Sequence, residues 1–165
     1  MRKLTQEDLP DLCEMLQDED VMYAWEHTFS LQQVKEWLDK QLKRYENTGI
    51  GLLAVVDMKT NEIVGQIGLV WGDIEGREIL ELAYMLKKTQ WGKGFAVEGS
   101  KACLDYAFNM MNVDKVYAPI RLENKASIKT AETLGFVMQG EYVKHYNGKD
   151  MLHLIYVMDK KDFNV

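Results

Sequence analysis

The chain is short of cysteine, proline and long apolar runs, and it carries no excess of positive charge. Its two cysteines, Cys13 and Cys103, stand ninety residues apart, which excludes a disulfide framework or a CxxC-type metal site. There are two prolines, Pro10 and Pro119, and no Gly/Ser-rich stretch, so no linker divides the sequence and no repeat or low-complexity tract interrupts it. No apolar run reaches membrane-spanning length, and Met1-Arg2-Lys3-Leu4-Thr5-Gln6-Glu7-Asp8 does not open a signal peptide. Twenty basic residues against twenty-six acidic ones give a net charge of −6. That balance argues against nucleic acid as a partner, because phosphate-backbone binding is driven by Lys and Arg. It favours cationic or amine-bearing partners instead. The expectation is a protein of a reducing, cytoplasmic compartment, with no membrane segment and no metal. With 165 residues, 47% of them apolar, the chain suffices for one domain over residues 1–165. A domain of this size buries roughly 68–70% of its unfolded surface and needs no staples.

What is present reads as alternating short elements. A strand at Met1–Leu4 leads to Thr5, a helix N-cap with Asp8 three residues later. From Glu7 to Asp20 there are seven acids and no base, the pattern of a solvated helix face. Ser30 and Gln33 form a capping-box pair, and Leu31, Val34, Leu38, Leu42 and Tyr45 then recur at helical spacing. After Asn47-Thr48-Gly49 the period becomes that of strands: Leu52–Asp57, Ile63–Trp71 and, past a break at Gly72–Gly76, Glu78–Leu86. A long helix is expected from Gly94 to Met111. One apolar row holds Val97, Leu104, Phe108 and Met111, and its neighbour holds Ala96, Cys103, Ala107 and Met110. A strand at Lys115–Ile120, a helix at Asn124–Leu134 closed by Gly135, and two strands about Asn147-Gly148 complete the chain. The order is β-α-α-β-β-β-α-β-α-β-β, an α/β mixture around a mostly antiparallel sheet with one β-α-β crossover.

Chemistry concentrates between the strand ending at Leu86 and the long helix, in Lys87-Lys88-Thr89-Gln90-Trp91-Gly92-Lys93-Gly94-Phe95-Ala96. Two glycines let the backbone turn its N–H groups toward one point, and a helix N-terminus adds unpaired donors and a positive dipole. Such a loop suits a phosphate or pyrophosphate. Residues 87–101 carry a net charge of +3, from Lys87, Lys88, Lys93 and Lys101 against Glu98, in an otherwise acidic chain. A P-loop is excluded: Lys87 stands where its first glycine would be, and Gly94 rather than Ser or Thr follows Lys93. A dinucleotide fingerprint would need glycine at Val97. Taken alone, the two glycines are equally suited to a plain strand-to-helix turn.

Downstream, Asn124-Lys-Ala-Ser127 opens a helix that ends in Leu134-Gly135-Phe136. With Trp91-Gly-Lys-Gly-Phe-Ala96 and the closing hairpin, the whole chain resembles the GNAT superfamily of acyl-CoA-dependent N-acetyltransferases, and most of all the branch containing ribosomal-protein alanine N-acetyltransferases. The resemblance implies a single GNAT-like domain in which a splayed parallel strand pair forms the cofactor cleft. It implies acetyl-CoA as co-substrate and, from the ribosomal-protein branch, a protein or peptide N-terminal α-amine as the favoured amine acceptor. A small-molecule amine (a polyamine, amino acid or antibiotic) is the alternative, and a CoA-binding sensor without turnover is the rival from another class. A homo-oligomer is compatible with either. Backbone groups of Tyr84, Met85 and Leu86 would pair with the pantetheine arm, with the Met85 N–H polarising the thioester carbonyl. Trp91, Gly92, Lys93, Gly94, Phe95 and Ala96 would hold the pyrophosphate, and Asn124 and Ser127 would meet the thiol end. Many members carry a tyrosine seven residues after that asparagine, as acid for the leaving thiolate. Here the position is Ala131, and Ser127 is the candidate substitute, with Tyr142 and Tyr146 further off.

A base is needed in proportion to the acceptor. A lysine-type amine of pKa ~10.4 costs roughly 4.6 kcal/mol to deprotonate at neutral pH, whereas an α-amine near ~7.8 costs about 1 kcal/mol. Glu81, on the cofactor strand, is the leading carboxylate; the plain alternative is a cross-strand ion pair. Asp73, Glu75, Glu78 and Glu81 against Arg77 would draw a cationic substrate. A two-residue turn at Asn147-Gly148 would set His145 opposite Asp150, either as a base with its orienter or as a surface pair. His27 and the aromatic stretch Tyr23–Phe29 read as a substrate rim or as core.

Overall fold

The computed structural model describes residues 1–163. Seven strands form one sheet in the order β1-β2-β3-β4-β5-β7-β6. They are β1 (Arg2–Lys3), β2 (Leu52–Val56), β3 (Ile63–Ile74), β4 (Arg77–Leu86), β5 (Lys115–Arg121), β6 (Val137–Tyr146) and β7 (Lys149–Asp159). The helices are α1 (Leu9–Leu16), α2 (Glu19–Met22), α3 (Leu31–Asn47), α4 (Phe95–Asp105) and α5 (Lys125–Leu134). The sheet is mostly antiparallel, and its parallel ladder sets Glu81 of β4 opposite Tyr117 of β5. The architecture expected from the sequence is therefore present, with one short helix more than expected. By internal contacts the residues fall into two compact units: Met1–Val70 with Ala83–Gly99, and Trp71–Leu82 with Ser100 onward.

In the first unit, Leu12, Met15 and Leu16 of α1 and Val34 and Leu38 of α3 are fully buried in one cluster with Leu4, Met22, Ala54 and Ile63. α3 starts where the capping box places it. Ser30 Oγ accepts the Gln33 N–H at 3.3 Å, and Gln33 Oε1 accepts the Ser30 N–H at 2.8 Å. The apolar face is narrower than its periodicity suggested, since Leu31, the first residue of α3, is 50% exposed. Tyr45 ties the helix to β2 and to the residue that follows β1: its hydroxyl accepts from the Leu4 N–H at 3.2 Å and donates to the Leu52 carbonyl.

The acidic run is not a solvated face throughout. Asp8 is buried and takes a two-pronged bond from the Arg2 guanidinium, 2.7 Å on each oxygen, while also accepting the Thr5 N–H at 2.8 Å. The Arg2 bonds hold its carboxyl below the usual aspartate range, against the opposing pull of burial. Having no base of its own, the run recruits bases from elsewhere in the chain. The long helix also departs from expectation. After Asp105 the chain passes into a π turn over Tyr106–Met110, with the Met111 N–H bonding the Tyr106 carbonyl at 3.0 Å. The wider turn keeps Ala107 and Phe108 in the core but rotates Met110 off the apolar row, leaving it 73% exposed.

In the second unit the turn expected at Asn147-Gly148 is present, with φ of 49° and 73°, and it sets His145 opposite Asp150. The break expected over Gly72–Gly76 is tighter: β3 continues to Ile74, and Glu75-Gly76 alone turn the chain, with φ of 52° and 83°. Glycine at 72 lies within the strand beside Glu81, whose Oε2 would be 3.0 Å from a Cβ there. α5 is closed by Gly135 as read, with φ 93°, and begins one residue later than expected because Asn124 is its N-cap, its Oδ1 accepting the Ser127 N–H at 3.1 Å.

Candidate active site

The first unit holds the end of β4 and the loop that follows. Gly65 of β3 stands against that end so closely that a Cβ would lie 2.5 Å from the Met85 carbonyl oxygen and 2.8 Å from Leu86 Cα. The Lys87 N–H bonds the Val64 carbonyl at 2.9 Å, which closes the contact. Leu86 is buried, while Tyr84 and Met85 are half-buried. Beyond them a single helical turn, Lys88–Gln90, brings Trp91 back over the strand, where its indole N–H donates to the Leu86 carbonyl at 3.0 Å. Gly92 and Gly94 take φ of 75° and 89°, where an L side chain is strained, and a Cβ at either would meet no atom within 4 Å. The first intrahelical bond runs from the Glu98 N–H to the Gly94 carbonyl, so the N–H groups of Phe95, Ala96 and Val97 precede the ladder. An open backbone concavity with unladdered donors fits a diphosphate.

The lysines of the loop are not equally available to an anion. Lys87 bonds Asp11 at 2.7 Å and Glu14 at 2.5 Å, and Lys88 pairs with Asp20. Burial pulls the Lys87 ammonium down, but the two carboxylates outweigh it and hold the group above its ordinary value. The charge counted over the loop is thus partly spent inside the first unit. Lys93 stays at the exposed tip, bonded to Gln90 at 3.0 Å.

Two residues of this unit escaped the sequence reading. Gln66 of β3 is fully buried; its Oε1 accepts the Trp37 indole N–H at 3.2 Å, and its Nε2 lies 3.9 Å from Met85 Sδ. The available signal was a lone amide in the apolar run Ile63–Val70. Trp37 joins Trp25 and Phe29 in an edge-to-face trio with centroids 5.9–6.0 Å apart, and His27 stacks on Phe29 at 5.4 Å. Phe29 is core and the half-buried Trp25 and Trp37 pack against the same cluster, the packing role considered for the stretch, while His27 is half-buried beside Phe29.

The second unit holds the remaining candidates. Glu81 is half-buried beside Gly72 and opposite Tyr117, whose ring lies 5.9 Å from the Arg77 guanidinium. Tyr142 is buried with Ile74 and Ile79; that burial, with the charges of Glu81 and Asp73, pushes its hydroxyl up to about 12. Tyr142 faces His153 across the β6–β7 ladder, ring centroids 5.5 Å apart. Burial pulls His153 below the ordinary histidine value, and its Nδ1 lies 2.9 Å from the Met151 carbonyl. Asn124 and Ser127 share the first turn of α5, both half-buried, and Ala131 is fully buried and carries no hydroxyl. His145 and Asp150 do bond each other, but their side chains are 82% and 72% exposed, which is the surface-pair arrangement. Among the described residues no group of three or more His, Cys, Asp or Glu is placed to hold a metal ion, and no helix is long and apolar enough to cross a membrane.

Comparison with known proteins bears on this arrangement. Residues 1–137 match the family described as acetyltransferase (GNAT) domain. An uncharacterized Bacillus subtilis protein, YkkB, is 36% identical over 121 residues, covering 73% of this chain and 70% of its own. Among solved structures, spermidine N-acetyltransferase from Vibrio cholerae, in complex with CoA and spermine, superposes with a TM-score of 0.76 at 22% identity, covering 98% of this chain and 95% of its own. The ribosomal-protein-S5-alanine acetyltransferase from Vibrio fischeri does so with a TM-score of 0.76 at 20% identity, covering 99% and 94%. At these identities the two structures speak to the fold.

Proposed function

The chain belongs to the GNAT acetyltransferase family, and from that premise we propose that it passes acetyl from acetyl-CoA directly to a primary amine, with a peptide or protein N-terminal α-amine as the favoured acceptor. The family uses acetyl-CoA, and this chain is an acetyl-CoA-dependent N-acetyltransferase. The observation that carries the site assignment is the open, left-handed backbone of Gly92 and Gly94 ahead of α4. In this reading the N–H groups from Gly92 to Ala96, with Trp91 and Lys93 beside them, bind the pyrophosphate; the Trp91 N–H itself is held by the Lys88 carbonyl at 3.1 Å. Tyr84, Met85 and Leu86 pair with the pantetheine arm as an added strand. The Met85 N–H then donates to the thioester oxygen and stabilises the charge that gathers there as nitrogen attacks. Gly65 and Gln66 hold Met85 in place for that bond.

Attack forms the C–N bond and breaks the C–S bond; the amine gives up a proton and CoA leaves as thiol or thiolate. Glu81 is the proposed acceptor of the amine proton, directly or through water. Asn124 and Ser127 attend the sulfur, and Ser127 is the candidate donor to it. No tyrosine replaces Ala131, and a thiol of pKa about 8.5 leaves tolerably well without one. An α-amine near ~7.8 asks only about 1 kcal/mol of the base, which suits a single carboxylate.

A polyamine is the second reading, favoured by the exposed acids Asp73, Glu75 and Glu78 on the β3–β4 hairpin and by the likeness to the spermidine enzyme. Thiol release from acetyl-CoA, measured with an alanine-terminated peptide and with spermidine, separates the two. The peptide is expected to give the larger kcat/KM, and a reversed preference moves the assignment to polyamines. On the preferred acceptor, Glu81→Gln should shift the pH–rate profile toward alkaline values. A profile that superposes on wild type removes Glu81 from the base role.

A further inference from the structure

Between Glu7 and Asp20 lie seven acids, and the proposed function uses none of them. They are not arrayed for an incoming cation. Asp8 is taken by Arg2, Asp11 and Glu14 by Lys87, and Asp20 by Lys88, while Asp18 caps α2. Two of those three bases belong to the loop that follows β4, and Lys87 is its root. The Lys87 N–H bonds the Val64 carbonyl at 2.9 Å, and its own carbonyl accepts the Gln90 N–H at 2.9 Å. Its side chain, 17% exposed, reaches Asp11 at 2.7 Å and Glu14 at 2.5 Å. Those two acids stand three residues apart, hence on one side of α1, and α1 is fixed in the core by the fully buried Leu12, Met15 and Leu16. The single turn Lys88–Gln90 closes on the Lys87 carbonyl, so the direction in which the chain enters Trp91, Gly92 and Gly94 follows from how Lys87 is held. The Lys88–Asp20 pair has side chains 51% and 62% exposed and carries little weight beside it.

We propose that Asp11 and Glu14 are positioning residues for the cofactor: through Lys87 they fix the loop in the geometry that receives the diphosphate, without touching it. The inference rests on the assignment of that diphosphate to the backbone from Gly92 to Ala96. It carries a sign that charge alone does not. CoA is a polyanion, so removing two carboxylates from its neighbourhood should tighten binding if only their field mattered. Removing an anchor weakens binding instead, because a loop that is no longer preorganised must be ordered by the ligand.

Asp11→Ala with Glu14→Ala, titrated with CoA by calorimetry, should bind about tenfold more weakly. The KM for acetyl-CoA should rise by a similar factor with kcat retained. Adding Lys87→Met to that pair should weaken binding by less than about twofold more, since the three side chains act as one unit. The single variants, each leaving Lys87 one carboxylate, should fall between wild type and the double variant, and they keep the test open if the double variant folds poorly. Arg2→Gln breaks the ion pair with Asp8 in the same unit, so it should lower Tm and leave CoA affinity as it was. Asp20→Asn should leave affinity unchanged as well. Affinity that rises or holds when Asp11 and Glu14 are removed overturns the proposal, and so does an equal loss in Arg2→Gln. If Gly92→Asp binds CoA normally, the diphosphate assignment has failed and this proposal with it. If Gly92→Asp loses CoA while the Asp11 and Glu14 variants keep it, the anchoring alone has failed.

Discussion

Gly65 and Gly68 in β3 do the opposite job from Gly92 and Gly94 ahead of α4. At the first pair the space is filled: a Cβ would lie 2.4 Å from Leu86 Cδ2 at position 65 and 2.1 Å from the Gly51 carbonyl oxygen at position 68. At the second pair the space is empty and the dihedral is special, with φ of 75° and 89°. The lesson is that glycine alone does not identify a binding loop. The first pair lets strands approach one another, and the second turns the chain with open space beside it, where the proposed function places the diphosphate.

The comparison breaks first on stability. Gly68→Ala must displace neighbouring backbone and should cost about 3 kcal/mol, as severe overpacking does, read as a fall in Tm of roughly 6–12 °C. A melting temperature equal to wild type would remove the close-approach role. Gly92→Asp puts a negative side chain where there is room for one, so its expected cost to folding is only about 1 kcal/mol of left-handed strain. Its cost to CoA affinity, followed by calorimetry, should exceed a hundredfold, with Cys13→Ser unchanged as control. A Gly92→Asp variant that binds CoA normally would reduce the second pair to a turn.

The lysines that root the loop sharpen the contrast further. Lys87→Ala should lower Tm by a few degrees, since it leaves Asp11 and Glu14 without their shared partner. Lys88→Ala, breaking an exposed pair with Asp20, should move stability by less than about 0.5 kcal/mol. The folded Lys87 value is raised, so this contribution is complete below the ordinary lysine pKa and is lost as pH climbs through the folded one. Melts of wild type and Lys87→Ala that converge only at strongly alkaline pH would agree with this; convergence near neutrality would not.

Local chemistry was legible in the sequence and distant partners were not. Ser30 with Gln33, Asn124 with Gly135, and Asn147-Gly148 act within a few residues, and each sits where its pattern put it. The family resemblance, carried by the glycine loop and the Asn124 helix, is met by the match over residues 1–137. The burial of Asp8 depends on Arg2, and the neutralisation of Lys87 on a helix seventy-six positions away, which no periodicity encodes. Gln66 looked like an interruption of a strand because its partners, Trp37 and Met85, lie twenty-nine and nineteen residues distant. The π turn at Tyr106–Met110 escaped because a helical wheel assumes a constant pitch.

Trp91 has a practical consequence. Its indole is pinned to the Leu86 carbonyl yet 40% exposed, at the lip of the concavity assigned to the diphosphate. The chain therefore carries a built-in fluorophore at the point where the nucleotide carrier would land. The emission lost in a Trp91→Phe variant isolates its signal from Trp25, Trp37 and Trp71, and titrating that difference reads occupancy without any label.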